Sequence, residues 1–108
     1  MSFRSIPSLL QENAKRKGSA PAVTYPAGSL SWEELDRRSN KRARMLLSLG
    51  VKPNDLVALI LPNGCEFHEA LVGIWKAGAT PCMLPANLPG REAAEMLALA
   101  APAAVIGD

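Results

Sequence analysis

Histidine occurs once, at His68, and cysteine only twice, at Cys65 and Cys82. Neither CxxC nor Cys/His ligand spacing is present, which argues against a disulfide framework and against a structural zinc site, and a reducing cytoplasm is the compartment that fits best. Charge of one sign is scarce too. Twelve Lys and Arg against ten Asp and Glu leave +2, too little to make nucleic acid or an anionic membrane the main partner. The longest aliphatic run, Leu56 to Leu61, is far too short to cross a bilayer, so no transmembrane segment is expected. The opening stretch MSFRSIPSLLQENAKRKG lacks the continuous apolar segment of a signal peptide. Aromatic residues are few: Phe3, Tyr25, Trp32, Phe67 and Trp75. A core built from this chain is therefore aliphatic and alanine-rich.

What remains is 48% hydrophobic and 20% charged, a globular composition. A chain of 108 residues is the size of one domain and buries roughly 65% of the surface it exposes when unfolded. No internal repeat, linker or low-complexity tract divides it, and residues 1–108 read as one unit with a lead-in over 1–50 and a second part over 51–108.

In the lead-in, Ile6, Leu9, Leu10 and Ala14 recur at helical spacing, Pro7 suits a first turn, and Gly18 can take a left-handed stop. AVTYPAGSLS then reads as two short strands around Pro26-Ala27-Gly28. Ser31 with Glu34 makes the S-x-x-E capping box that starts a helix, whose apolar stripe is Trp32, Leu35, Ala43, Leu46 and Leu47 and whose stop is Gly50. Two basic runs, Lys15 to Lys17 and Arg37, Arg38, Lys41, Arg42 and Arg44, read as solvated faces.

The second part alternates. A strand over Leu56 to Leu61 is followed by a helix through Phe67, Leu71, Ile74 and Trp75 that stops at Gly78; a strand over Thr80 to Leu84, a helix over Arg91 to Ala100 and a strand over Ala103 to Ile106 complete it. Strands apolar on both faces, joined by crossover helices, are parallel strands covered on both sides. The fold class is α/β: a Rossmann-like parallel sheet with crossover helices, a βαβαβ unit preceded by a helix, a short β-hairpin and a long helix.

Three chemistries can be set on LILPNGCEFHEALVGIW, residues 59–75. Cys65 in a first helical turn with His68 on the same face could be a nucleophile beside its base. Against that, Glu66 and Glu69 oppose the negative charge a thiolate needs, and no group is in sight to orient the imidazole. A strand, a glycine and a helix could cradle phosphate, but neither G-x-G-x-x-G nor G-x-x-x-x-G-K-[ST] occurs, and Gly64 reads as relief for a sharp turn. The third reading, a strand handing over to a helix, is the one these residues favour. The carboxylates Glu33, Glu34, Glu66, Glu69, Glu92 and Glu95 sit at the spacing of caps and exposed faces, and Trp32 and Trp75 read as core or subunit packing. No catalytic residue and no metal ligand can be named.

Two phrases carry a resemblance: SLSWEELDRRSNKRARMLLSLGVKPNDLVALILPNGCEF and WKAGATPCMLPANLP. They resemble the amino-terminal part of the adenylate-forming, AMP-binding superfamily of acyl-CoA synthetases, aryl-CoA ligases and peptide-synthetase adenylation domains. The matching pieces are L-[ST]-[WY]-x-E-L at Leu30 to Leu35, G-V-x-x-x-D-x-V-A at Gly50 to Ala58, L-P-N at Leu61 to Asn63 and K-A-G-A at Lys76 to Ala79. The resemblance implies a ligase that uses ATP, Mg and CoA, turning a carboxylic acid into an acyl-adenylate and passing the acyl group to CoA. It favours an acyl-CoA synthetase of fatty acid metabolism with a fatty, alicyclic or bile-acid-like substrate; the alternatives are an adenylation domain loading a carrier protein and a non-catalytic interaction domain.

The S-G-T-T-G phosphate loop, the Tyr-Gly-x-Thr-Glu segment, the hinge aspartate and the carboxy-terminal catalytic lysine of that superfamily are missing. The chain therefore reads as the first α/β portion of a longer enzyme, not catalytic alone, whose partners are the remainder of the same polypeptide, the carboxylate and CoA, with a homodimer left open. In some acyl-CoA synthetases the loop after the K-A-G-A strand borders CoA, and its counterpart here is Leu84, Pro85, Ala86 and Asn87. Asn87-Leu88 stands where many such ligases have Arg-Leu.

Overall fold

A computed structural model describes residues 6–107. The chain runs α1 (Ile6–Lys17), β1 (Pro21–Tyr25), β2 (Gly28–Ser31), α2 (Trp32–Ser48), β3 (Leu56–Ile60), α3 (Cys65–Lys76), β4 (Thr80–Met83), α4 (Gly90–Ala100) and β5 (Ala104–Gly107). β1 and β2 form an antiparallel hairpin with Tyr25 opposite Gly28, and β4-β3-β5 form a three-stranded parallel sheet. The α/β class and the Rossmann-like order of the sequence reading are both present.

Helix ends explain much of this order. Ser31 Oγ accepts the Glu34 N–H at 3.1 Å and Glu34 Oε1 accepts the Ser31 N–H at 3.2 Å, closing the capping box at the start of α2. At the other end Gly50, with φ 91°, lets Val51 N–H reach Leu46 O and its own N–H reach Leu47 O, a Schellman stop. Helix α3 ends the same way: Gly78 has φ 79°, Ala79 N–H bonds Ile74 O and Gly78 N–H bonds Trp75 O. In both motifs the residue after the glycine is buried, Val51 or Ala79, so the stop delivers the chain directly into the core. Asn54 N–H then bonds Gly78 O and Thr80 N–H bonds Asp55 O, which ties the amino ends of β3 and β4 together.

One face of the sheet packs on α2 and α3. Val57, Leu59 and Leu61 meet Leu46, Val51, Ala70 and Ile74 in the main core, and fully buried side chains such as Leu59 and Ile74 contribute on the order of 2 kcal/mol each. A second cluster of Leu30, Leu35 and Val72, flanked by Trp32 and Trp75, joins the hairpin to α2 and α3. Both tryptophans are therefore packing residues.

Several expectations are corrected. Gly18 does not adopt positive φ; it ends α1 by close approach, since a Cβ there would meet Ala14 O at 3.1 Å and its carbonyl accepts Glu33 N–H. Leu9 is exposed, and the side chains of Ile6, Pro7 and Leu10 lie outside the described residues. Leu47 is 52% exposed because the buried line of α2 runs through Leu35, Ser39, Ala43 and Leu46, with Ser39 wholly buried. The sheet is not covered equally on its two faces. The right-handed crossovers expected for the order β4-β3-β5 would set α3 and α4 on opposite faces, yet α4, rich in alanine, buries no residue, and Val105 stays half exposed.

The basic runs also divide. Lys15, Arg16, Lys17, Arg37, Lys41 and Arg44 face solvent, but Arg42 bonds Glu69 Oε1 at 3.1 Å and Glu66 Oε1 at 3.2 Å, and Arg38 lies 3.8 Å from Glu69. Glu69, expected on an exposed face, is largely buried under these arginines. Beside them Lys76 Nζ reaches Asp36 Oδ1 at 2.6 Å, Asn40 Oδ1 at 2.8 Å and Asp36 O at 3.0 Å. Opposite charges on facing helices account for a polar seam that neither helix shows alone. Among the described residues no helix is long and apolar enough to cross a membrane.

Candidate functional site

In open α/β sheets, ligands gather where the strands present their carboxyl ends. Here β3 runs into Pro62-Asn63-Gly64 and β4 into Leu84 to Asn87, with Leu84 N–H bonded to Leu59 O at 3.0 Å and Leu88 N–H closing a turn on Pro85 O at 3.2 Å. Between them lies an open cleft of about 530 Å³. Its walls are Leu61, Pro62, Phe67 and Met83 together with Leu84, Pro85, Ala86 and Asn87, and Asn63 completes it. The loop singled out in the sequence is thus brought together around one cavity, while Asn63 and Phe67 join it from the α3 side.

The chemistry of this cleft is narrow. Among the described residues its only polar side chains are the amides of Asn63 and Asn87, with no carboxylate, imidazole or cation in the lining. It therefore suits a slender, neutral, partly apolar ligand with amide groups. A triphosphate with Mg would need cationic and carboxylate partners, and these residues do not fit that group. Among the described residues no cluster of three His, Cys, Asp or Glu could hold a metal.

The nucleophile and base considered in the sequence do not meet. Cys65 Sγ faces the Gly28 carbonyl at 3.6 Å, while His68 Nε2 lies 3.0 Å from the Tyr25 hydroxyl, and the two are not hydrogen-bonded to one another. Both cysteines are free thiols. Gly64 is extended, with φ 168° and ψ −175°, and a Cβ there would meet nothing within 4 Å, so neither strain nor crowding demands glycine and the expected relief of a sharp turn is not its role. The strand-to-helix handover stands. The Glu34 carboxyl is displaced: the Ser31 backbone N–H, then the Ser31 hydroxyl, and more weakly Arg38 and Arg37, hold it below its ordinary value of 4.5.

Comparison with known proteins matches the family described as AMP-binding enzyme over residues 10–108. The chain belongs to that family. Its relatives include the salicyl-AMP ligase / salicyl-S-ArCP synthetase of Mycobacterium tuberculosis, 40% identical over 98% of this chain and 19% of the relative. A dimodular nonribosomal peptide synthase of Bacillus subtilis is 38% identical over 94% of this chain and 4% of its own length. Among solved structures, a benzoate CoA ligase from Burkholderia xenovorans superposes with a TM-score of 0.88 at 24% identity, covering 97% of this chain and 22% of that one. The chain thus spans about a fifth or less of the length of these proteins. The sequence motifs at Leu30, Gly50, Leu61 and Lys76 fall at the capping box, the first Schellman stop, the exit of β3 and the second Schellman stop.

Tyr25 and Phe67 had no functional signal in the sequence. Phe67 reads there as one more member of an apolar stripe, and Tyr25 lies 43 residues from the histidine it meets.

Proposed function

We propose that the protein containing this chain activates an aryl carboxylic acid with ATP and Mg and passes the acyl group to a thiol. A carboxylate oxygen attacks the α-phosphorus and pyrophosphate leaves; the thiol sulfur then attacks the acyl carbon, AMP leaves, and a thioester forms. The observation that carries this reading is the 40% identity, over nearly the whole chain, to a ligase named for salicyl-AMP and a carrier-bound salicyl thioester. Residues 1–108 serve as one scaffolding subdomain of that enzyme, and the neutral lining of the cleft, which offers no cation or carboxylate to triphosphate or Mg, supports that reading.

The second reading has CoA as acceptor and a fatty, alicyclic or bile-acid-like substrate, as in an acyl-CoA synthetase. It is supported by the Leu84 to Asn87 loop, which walls a neutral cleft and which in some acyl-CoA synthetases borders CoA. CoA and an unloaded, phosphopantetheine-bearing carrier protein present the same pantetheine thiol arm, so the cleft suits either.

The deciding experiment is carboxylate-dependent pyrophosphate exchange by the full-length protein across salicylate, benzoate, fatty acids and amino acids, followed by thioester formation with CoA or a carrier protein. Exchange with an aryl acid, and none from residues 1–108 alone, is expected. Exchange only with fatty acids would replace the first reading by the second, and adenylate formation by the isolated chain would overturn the scaffolding role.

A further inference from the structure

The first turn of α3 is held from two sides. Glu66 and Glu69 bond Arg42 on α2 at 3.2 and 3.1 Å, while His68 Nε2 lies 3.0 Å from the Tyr25 hydroxyl at the end of β1. Phe67, the residue between these anchors, lines the carboxyl-end cleft. The His68 ring stands edge-on to Phe67 at 86°, with centroids 5.6 Å apart, and lies 5.9 Å from the Tyr25 ring. A continuous line of contact therefore runs from the hairpin through the imidazole to one wall of the cleft.

We propose that Tyr25 and His68 are positioning residues: Tyr25 fixes the imidazole, the imidazole fixes the Phe67 ring, and the ring sets how well the cleft accepts the arm of the thiol acceptor. This rests on the thiol-acceptor reading above. Edge-to-face ring contact and a hydrogen bond each restrict orientation more than they add affinity, which suits them to holding a wall in place. Arg42 supports the same turn from α2, so loss of the Tyr25 hydroxyl frees the His68–Phe67 side without releasing the helix.

The test uses the full-length protein and the variants Tyr25→Phe, Phe67→Leu and their combination. For Tyr25→Phe the KM of the acceptor should rise about three- to tenfold, the range one hydrogen bond converts to. That rise should exceed any fall in the rate of pyrophosphate exchange. In the Phe67→Leu background the Tyr25 change should add nothing, because its effect passes through the ring. A readout independent of activity is the NMR methyl resonance of Met83, which lines the same cleft as Phe67. With methyl-labelled methionine, Tyr25→Phe should shift it through the altered ring current. If no acid supports exchange, the functional reading fails while the Met83 resonance still decides the positioning one. An unmoved Met83 methyl, an unchanged acceptor KM where turnover is measurable, or additive effects in the double variant would overturn it.

Discussion

Gly73 sits where α3 crosses α2, and replacing it with alanine tests the packing that holds the two layers together. A Cβ built at Gly73 overlaps the Cβ of Arg42 and comes within 3.2 Å of the Ser39 carbonyl oxygen. Neither neighbour is the tip of a flexible side chain, so relief requires the helices to part by about 1 Å, to reach ordinary contact of about 3.5–4.0 Å between carbons. Two effects compete. Alanine gains about 1 kcal/mol of helix propensity over glycine, whereas overpacking costs about 1–3 kcal/mol. Separation also stretches the Arg42 bonds to Glu66 and Glu69, and charge-assisted bonds of this kind contribute about 1.5–3 kcal/mol when intact. Packing wins by about 1–3 kcal/mol. In urea, with an m-value of about 1–1.5 kcal/mol/M for a chain of this size, the midpoint should fall by about 1 M or more with m unchanged. Far-UV circular dichroism and the fluorescence of half-buried Trp32 and Trp75 report the transition. Gly90→Ala is the control, since a Cβ there meets nothing within 4 Å. If Gly73→Ala unfolds at the same urea concentration as Gly90→Ala, the close crossing is not as described.

Two further outcomes follow from the polar contacts. Asp36→Ala leaves the Lys76 ammonium, on a side chain only 10% exposed, without its carboxylate and should cost about 2–3 kcal/mol, seen as a lower melting temperature; Asp36→Asn, which keeps an acceptor, should lose less, and equal losses would count against the ion pair. Ser31→Ala removes the N-cap of α2 and should cost about 1 kcal/mol near pH 7. Glu34 has its folded value depressed, chiefly by the Ser31 backbone N–H, so its stabilisation is present above the ordinary carboxylate value and is lost as pH falls through the folded one; the gap between wild type and Glu34→Ala should therefore narrow below pH 4.5, and a gap constant down to acid denaturation would contradict the glutamate arm of the capping box.

The elements that the sequence determined by itself are those whose cause is local. Ser31 and Glu34 close a capping box within one turn, Gly50 and Gly78 permit the positive φ that ends α2 and α3, and the unbroken aliphatic run from Leu56 marks the buried central strand of a parallel sheet. Such causes act over a few residues, so they are legible without a fold, and the motifs of the family coincide with them. Other features depended on which surfaces meet. Ser39 rather than Leu47 is buried because α3 presents Gly73 opposite it, and the basic face of α2 is half neutralised because Glu66 and Glu69 lie across from it. The cleft is likewise a product of strand order: Leu84 to Asn87 was visible as a loop, but Asn63, Phe67 and, through His68, Tyr25 reach it only because β3 lies beside β4 and the hairpin packs on α3. Hydrophobic burial is non-directional and rewards any apolar contact, so partners distant along the chain are chosen by tertiary packing and not by local pattern.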